Sequence, residues 1–224
     1  MDVSGSMLDK ADVLANAATE FLNNLRPDDM VAAATFNETV DMLFNFTPAR
    51  EAWKRKKLKL RVDGLPPVTM VYDAMETALR KMRKVKGRKA IVFFSDAVGS
   101  GISATANSTL REAEEGESVI YTIQFGAFEK PLKDTNVKKF NEMISTASGY
   151  MAGLANRTGG RHYQIETIDN LKETFQQILR ELGQQYSLGF QPKADGKKGE
   201  KRRIKVLVNR SGLVVKARDG YLIN

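Results

Sequence analysis

The 224-residue sequence has no cysteine and a single histidine, His162. The first absence excludes disulfides, thiolate zinc sites and a cysteine nucleophile, although it does not fix the compartment. The second makes any Ser-His-Asp triad depend on His162 and rules out a two-histidine metal site. A metal held by this chain must be bound mainly through oxygen, which selects Mg²⁺, Ca²⁺ or Mn²⁺. Long apolar runs are missing too: Ala90 to Phe94 and Val31 to Phe36 fall far short of the roughly 18 residues of a membrane span. The opening Met1-Asp2-Val3-Ser4-Gly5-Ser6 has neither the basic nor the apolar stretch of a secretion signal. The expectation is a cytosolic protein or a piece of something longer.

What is present is a globular composition, 42% hydrophobic and 28% charged, with a formal charge of +8. The positive charge lies in three runs: Lys54 to Arg61, Arg80 to Lys89 and Lys193 to Lys205. Such runs could attract nucleic acid, anionic lipid or an acidic protein. No aromatic residues interleave them as a single-strand stacking platform requires, so they read as solvated faces and nucleic acid is not the expected partner.

Apolar spacing predicts an amphipathic helix over Val13 to Leu25, then a hairpin of Met30–Phe36 and Thr39–Phe46 across Asn37-Glu38. A basic helical stretch is expected near Arg50 to Leu60. A second clear helix carries Val71, Ala74, Met75, Ala78, Leu79 and Met82 on one face. Ala90–Ser95 and Val119–Phe125 read as strands buried on both sides, with a helix over Ala104–Glu115 between them. Lys138 to Asn156 reads as helix interrupted at Gly149, and Arg161–Ile165 as a short strand. The last long helix holds Leu171 to Leu182 and is expected to be capped near Thr167 or Asp169. This alternation predicts an α/β fold, a mainly parallel sheet flanked by helices, over residues 1–183. From 184 to 224 the period becomes alternating, with Tyr186/Leu188/Phe190, Ile204/Val206/Val208 and Leu213 to Ala217, which predicts a C-terminal antiparallel β appendage.

Three loops then stand out. Asp2-Val-Ser4-Gly-Ser6 precedes the first helix, Thr69 precedes the second, and Asp96 follows the buried strand. Each alone is an ordinary cap or turn residue. In an open α/β sheet, however, such loops gather at the carboxyl edge, where ligands bind, so the residues could converge on one cation. They offer three hydroxyls and two carboxylates, a hard-oxygen set suited to Mg²⁺. Asp73 is expected to cap or pack, and His162, Tyr121, Tyr163 and Tyr186 to be structural or surface residues.

In these elements the chain resembles the von Willebrand factor type A (vWA) domain. Asp2-Val-Ser4-Gly-Ser6-Met7 is similar to the Asp-x-Ser-x-Ser element of its metal-ion-dependent adhesion site, Val68-Thr69-Met70 to the second loop and Phe93-Phe94-Ser95-Asp96 to the third. The tail from Gln185 through Gly212-Leu213 to Tyr221 is similar to a bacterial vWA-related group whose members usually carry export signals. The resemblance implies a vWA-like, Rossmann-type fold in which Ser4, Ser6 and Thr69 contact a divalent cation, Mg²⁺ or else Mn²⁺ or Ca²⁺. Asp2 and Asp96 would act directly or through water. It further implies a partner protein supplying an Asp or Glu carboxylate, no enzymatic activity, and an extracytoplasmic or secreted location where the full-length protein has a signal peptide, otherwise a cytoplasmic one. Ala97 stands where the family commonly has Gly, and the acidic residue that commonly follows is lacking. The family's first strand should precede Asp2, so it is expected upstream of Met1, and the Asp2 loop, beside a free terminal ammonium, is expected to be untethered. Two other readings remain. One is an intracellular scaffold or assembly factor using the basic surfaces, associated with nucleic acid. The other is a phosphohydrolase with Asp2 as nucleophile, which lacks a neighbouring second Asp for general acid chemistry and an obvious catalytic lysine loop.

Overall fold

Burial on both faces of the strands organises the chain. The computed structural model describes residues 1–52, 60, 68–125, 136–167, 169–186, 188–191 and 196–223. A 3₁₀ turn (Gly5–Lys10) runs into α1 (Ala11–Asn23), followed by β1 (Met30–Phe36), β2 (Val40–Pro48) and a single turn, α2 (Ala49–Ala52). Then come α3 (Val71–Met82), β3 (Lys89–Ser95), α4 (Ala106–Glu115), β4 (Ser118–Phe125), α5 (Val137–Thr158), β5 (His162–Ile165) and α6 (Asn170–Gly183). Two short strands, β6 (Lys201–Arg203) and β7 (Gly220–Leu222), close the chain. Most of the basic helical stretch expected to Leu60 lies outside the described residues.

The central sheet is parallel, in the order β3-β4-β5, with Ala90 opposite Val119 and Thr122 opposite His162. β1 and β2 form the expected antiparallel hairpin. Side chains on one face of the sheet, Phe94, Tyr121, Ile123 and Ile165, pack on Leu14, Ala18, Leu171 and Phe175 of α1 and α6. Those on the other face, Ile91, Phe93 and Ile120, pack on Val71, Met75, Ala113, Met151 and Leu154 of α3, α4 and α5. Among the described residues no helix is long and apolar enough to cross a membrane.

Residues 1–3 behave as a short strand. Asp2 bridges Phe36 in parallel. The Phe36 amide donates to Met1 O at 3.0 Å, Val3 N donates to Phe36 O at 3.0 Å, and Asp2 N donates to Phe94 O at 2.9 Å. The Met1 amino group donates to Ala34 O at 2.9 Å, as the next rung of the same ladder. The expectation of an untethered Asp2 loop is thus corrected: three residues suffice to tie it to β1 and β3. Beyond this stub the facing edges of β1 and β3 line a cavity of about 630 Å³.

A further correction concerns a helix. Gly149 does not interrupt α5, which is continuous over 22 residues; a glycine costs a helix only about 1 kcal/mol, less than burial of the neighbouring Tyr150, Met151 and Leu154 returns. The N-cap of α6 falls at Asp169, as expected, and Thr167 O accepts from Asn170 N at 3.1 Å, but neither side chain bonds to the helix backbone. Instead the Asn170 side chain reaches back, its Oδ1 accepting from the Thr167 hydroxyl at 2.8 Å.

The C-terminal appendage is antiparallel, yet its ladder lies elsewhere than expected, joining 201–203 to 220–222. Tyr186, Leu188, Phe190, Leu207 and Val214 stay exposed, and alternation without an apolar surface to cover forms no strand. The appendage is fastened to the α/β layers by charge. Glu114, at the end of α4, is buried and meets Lys201 Nζ at 2.5 Å and Arg157 at 3.2 Å, while the Arg218 guanidinium donates to the carbonyls of Glu114 and Gly116. Gly159 ends α5 at φ +79°, and a Cβ there would come within 2.7 Å of Arg218 N, so only glycine permits this approach.

Candidate metal centre

The loops following β3 and the Met1–Val3 stub emerge side by side because Asp2 N is bonded to Phe94 O, one residue before the strand's end. Asp2 itself points inward. It is fully buried, with Oδ1 accepting from Ser4 N at 2.9 Å and Oδ2 from the Ser95 hydroxyl at 2.5 Å. Ser95 also accepts from Ala97 N at 2.8 Å, so one carboxylate fixes the start of both loops. Ser4 Oγ lies 3.1 Å from Ser6 Oγ, and Ser6 Oγ donates to Asp96 Oδ2 at 2.8 Å. Asp96 Oδ1 accepts from Val98 N at 2.9 Å, which sets the carboxylate's orientation.

Thr69 joins by its backbone. Its carbonyl accepts from Ser100 N at 2.9 Å, and Met70 N donates to Asn37 O at 2.7 Å, so its loop is pinned between the Asp96 loop and the β1–β2 turn. A Cβ on Gly99 would sit 2.2 Å from Thr69 O, which makes this contact depend on glycine. Among the described residues the Thr69 hydroxyl makes no hydrogen bond. The structure therefore gathers Asp2, Ser4, Ser6 and Asp96 into one hydrogen-bonded chain and brings Thr69 to the same edge through the 96–100 segment. Ser6 lies within the 3₁₀ turn and is not an N-cap.

These oxygens suit a hard cation. Adjacent ligands of an octahedral ion with bonds of about 2.1 Å stand roughly 3 Å apart, and the spacings from Ser4 to Ser6 and from Ser6 to Asp96 bracket that value. No group of three or more His, Asp or Glu side chains that could hold a metal occurs among the described residues, and the oxygens gathered here are hydroxyls as well as carboxylates.

Two contributors escape the sequence reading. Ser95 is the buried donor to Asp2, and Gln124, fully buried near the end of β4, donates from Nε2 to Asp96 O at 3.2 Å. Its Oε1 accepts from Ser148 at 2.9 Å and from Gln164 at 3.2 Å. A polar residue near the carboxyl end of an otherwise apolar buried strand was the available signal in both cases.

Asp73 packs as expected. Burial alone would raise its carboxyl, but hydrogen bonds from the Ser103 hydroxyl and amide and from Ile102 N hold it below the usual carboxylate range. His162 is structural: burial lowers its pKa and Nδ1 lies 3.0 Å from the Thr122 hydroxyl. Ala97 adopts φ +59° while buried, a left-handed conformation that explains why glycine is favoured there and shows alanine accommodated. Several basic residues are engaged within the fold: Arg83 with Glu112 at 3.0 Å, Lys89 with Glu117 at 2.6 Å and Arg88 with Gln185 O at 3.1 Å.

The architecture is that of an open α/β domain with a hydroxyl-and-carboxylate site at the carboxyl edge of its sheet. Residues 1–99 match the family model of the von Willebrand factor type A domain. None of the curated proteins matches it by sequence. Among solved structures it is similar to a von Willebrand factor type A protein from Catenulispora acidiphila, at 17% identity and a TM-score of 0.56, covering 80% of this chain and 40% of that one. It is also similar to the ArnB paralog VWA2 from Sulfolobus acidocaldarius (19% identity, TM-score 0.54, 78% and 42% covered). A third likeness is to proximal thread matrix protein 1 from the mussel byssus, whose structure has a zinc-occupied MIDAS motif (16% identity, TM-score 0.54, 81% and 43% covered). The chain thus spans about two-fifths of the length of each of these proteins.

Proposed function

We infer that the chain is a metal-ion-dependent protein-binding module rather than an enzyme, and that it captures an acidic group of a partner. Ser4, Ser6 and Thr69 would hold a divalent cation, with Asp96 beside them directly or through water and Asp2 behind, orienting the Ser4 backbone. The observation that carries this reading is the succession of Ser4, Ser6 and Asp96 oxygens at 3.1 and 2.8 Å. The zinc held in the MIDAS motif of the byssus protein supports it by analogy of fold. Neutral hydroxyls leave a cation under-neutralised, so it would still attract a carboxylate. The hard-oxygen set favours Mg²⁺, with Mn²⁺ or Ca²⁺ as substitutes.

Calorimetry with Mg²⁺ and Mn²⁺, together with capture on an immobilised glutamate-containing peptide, tests the proposal. The wild-type chain is expected to bind metal and to need it for capture. Ser4→Ala and Asp96→Ala should lose both while keeping the wild-type circular dichroism spectrum. Equal metal binding by all three proteins would refute the site.

A further inference from the structure

The outer part of the C-terminal appendage combines exposed aliphatic side chains with positive charge. Beyond the β6–β7 ladder one more rung forms, Ile204 N donating to Asp219 O at 3.0 Å. There pairing stops: among the described residues no backbone hydrogen bond joins 205–209 to 213–218. Carried forward, the register turns the chain at Ser211-Gly212, where Gly212 stands at φ +77°, and sets Val208 opposite Val215 and Leu207 opposite Lys216. Each arm then holds three consecutive apolar residues, Val206 to Val208 and Leu213 to Val215. Val208, Leu213 and Val215 fall on one face of the hairpin, Leu207 and Val214 on the other. The second pair is 75% and 84% exposed, and the first three residues are 41% to 52% exposed. Between Glu200 and Asp219 this band is accompanied by seven basic residues and no acidic one. Arg203, Lys205, Arg210 and Lys216 make no ion pair among the described residues.

We propose that this band docks on an anionic bilayer surface, lying in the headgroup region with its basic residues among the lipid phosphates. Unpaired positive charge selects a negative partner. The aliphatic band distinguishes a lipid surface from a nucleic acid, for which charge alone would serve. It also disfavours an acidic protein: a folded surface covers one face of a hairpin and leaves the other in water, whereas headgroups and acyl chains close around both. Lys205 and Lys216 flank one end of the band and Arg210 the other, so their long side chains reach the headgroups while the aliphatic side chains pass below them. Leaving water penalises the unpaired backbone groups of 205–209 and 213–218, so docking completes the hairpin, with 206 opposite 217 and 208 opposite 215. The inference is independent of metal binding.

The test sediments the 224-residue chain with vesicles of phosphatidylcholine alone or with about one-third phosphatidylglycerol, in EDTA so that no divalent cation bridges protein and lipid. Binding is expected to the anionic vesicles and to be at least about tenfold weaker to the neutral ones. Leu207→Ser with Val214→Ser keeps every charge and should weaken binding at least about tenfold. Lys205→Gln with Lys216→Gln keeps the aliphatic band and should weaken it about thirtyfold. All four side chains are exposed, so both variants should keep the circular dichroism spectrum of the wild type. The chain has no cysteine, so a polarity-sensitive dye on Val214→Cys reports one place, and its emission should shift to the blue on anionic vesicles. Absent binding, equal binding to neutral vesicles or undiminished binding by the Leu207/Val214 variant would overturn the proposal. So would tighter binding to polyglutamate or duplex DNA than to the anionic vesicles, the first pointing to an acidic protein and the second to a nucleic acid.

Discussion

The Met1 amino group makes the stability of the 224-residue chain depend on pH where few side chains titrate. Its pKa falls from 8.0 to about 6 because burial disfavours the charge, against a smaller opposing pull from Asp2. Between those values the unfolded chain binds a proton that the folded chain does not, so stability rises with pH from 6 to 8 and levels off on either side. Two units correspond to roughly 3 kcal/mol, and about 2 kcal/mol remains after allowing for water reaching the half-buried Met1. For a chain of this size that is about 4 to 8 °C in melting temperature. Burial also lowers the pKa of His162, which adds a slope of the same sign below pH 6.5. The clean assay is therefore the difference between free and Nα-acetylated protein, melted at pH 5.5 and pH 8.5. The acetyl group keeps the donor to Ala34 O and has the adjoining cavity to occupy. The free protein is expected to lose several degrees more than the acetylated one on acidification. Parallel pH profiles would refute the reasoning.

Two more expectations follow. Gln124→Leu removes the donor to Asp96 O and should weaken Mg²⁺ binding about tenfold with the spectrum of the folded protein retained; unchanged affinity would show that Asp96 is held without it. Glu114→Ala deprives Lys201 and Arg157 of their shared carboxylate and should open the 196–223 segment to limited proteolysis. The hydrogen bond from Lys201 to Glu114 raises the lysine's pKa, so in the wild-type protein this fastening is complete below the ordinary lysine value and is lost as pH climbs through the raised one. A proteolysis pattern unaffected by the substitution would contradict the clasp.

Sequence was most informative where the governing interactions are local or strongly periodic. Asp2, Ser4 and Ser6 are adjacent in sequence, and the apolar runs of β3 and β4 leave little choice but burial between helix layers. What escaped depends on distant partners. The anchoring of Asp2 rests on Ala34, Phe36, Phe94 and Ser95, none of which its neighbours reveal. Gly149 read as a break because propensity was weighed without the core contacts of Met151 and Leu154. The appendage was legible as β but not in register, since 204–208 alternates without a layer to cover, whereas the actual ladder is fixed by Lys201 and Arg218 reaching Glu114. Thr69 reached the right edge of the sheet through Gly99, a contact that only the backbone geometry exposes.

The three-residue stub also has a mechanical meaning. A pull on the Ser4–Ser6 loop is directed along the axis of Met1–Val3, and the bonds resisting it, to Ala34, Phe36 and Phe94, run across that axis on both sides. Tension is therefore carried in shear: the rungs share the load and must fail together, whereas a strand peeled from its end gives them up singly. Each rung of this ladder adds to the force the loop withstands, so grip at the carboxyl edge of this sheet rests on the strand behind the loop as much as on the loop itself.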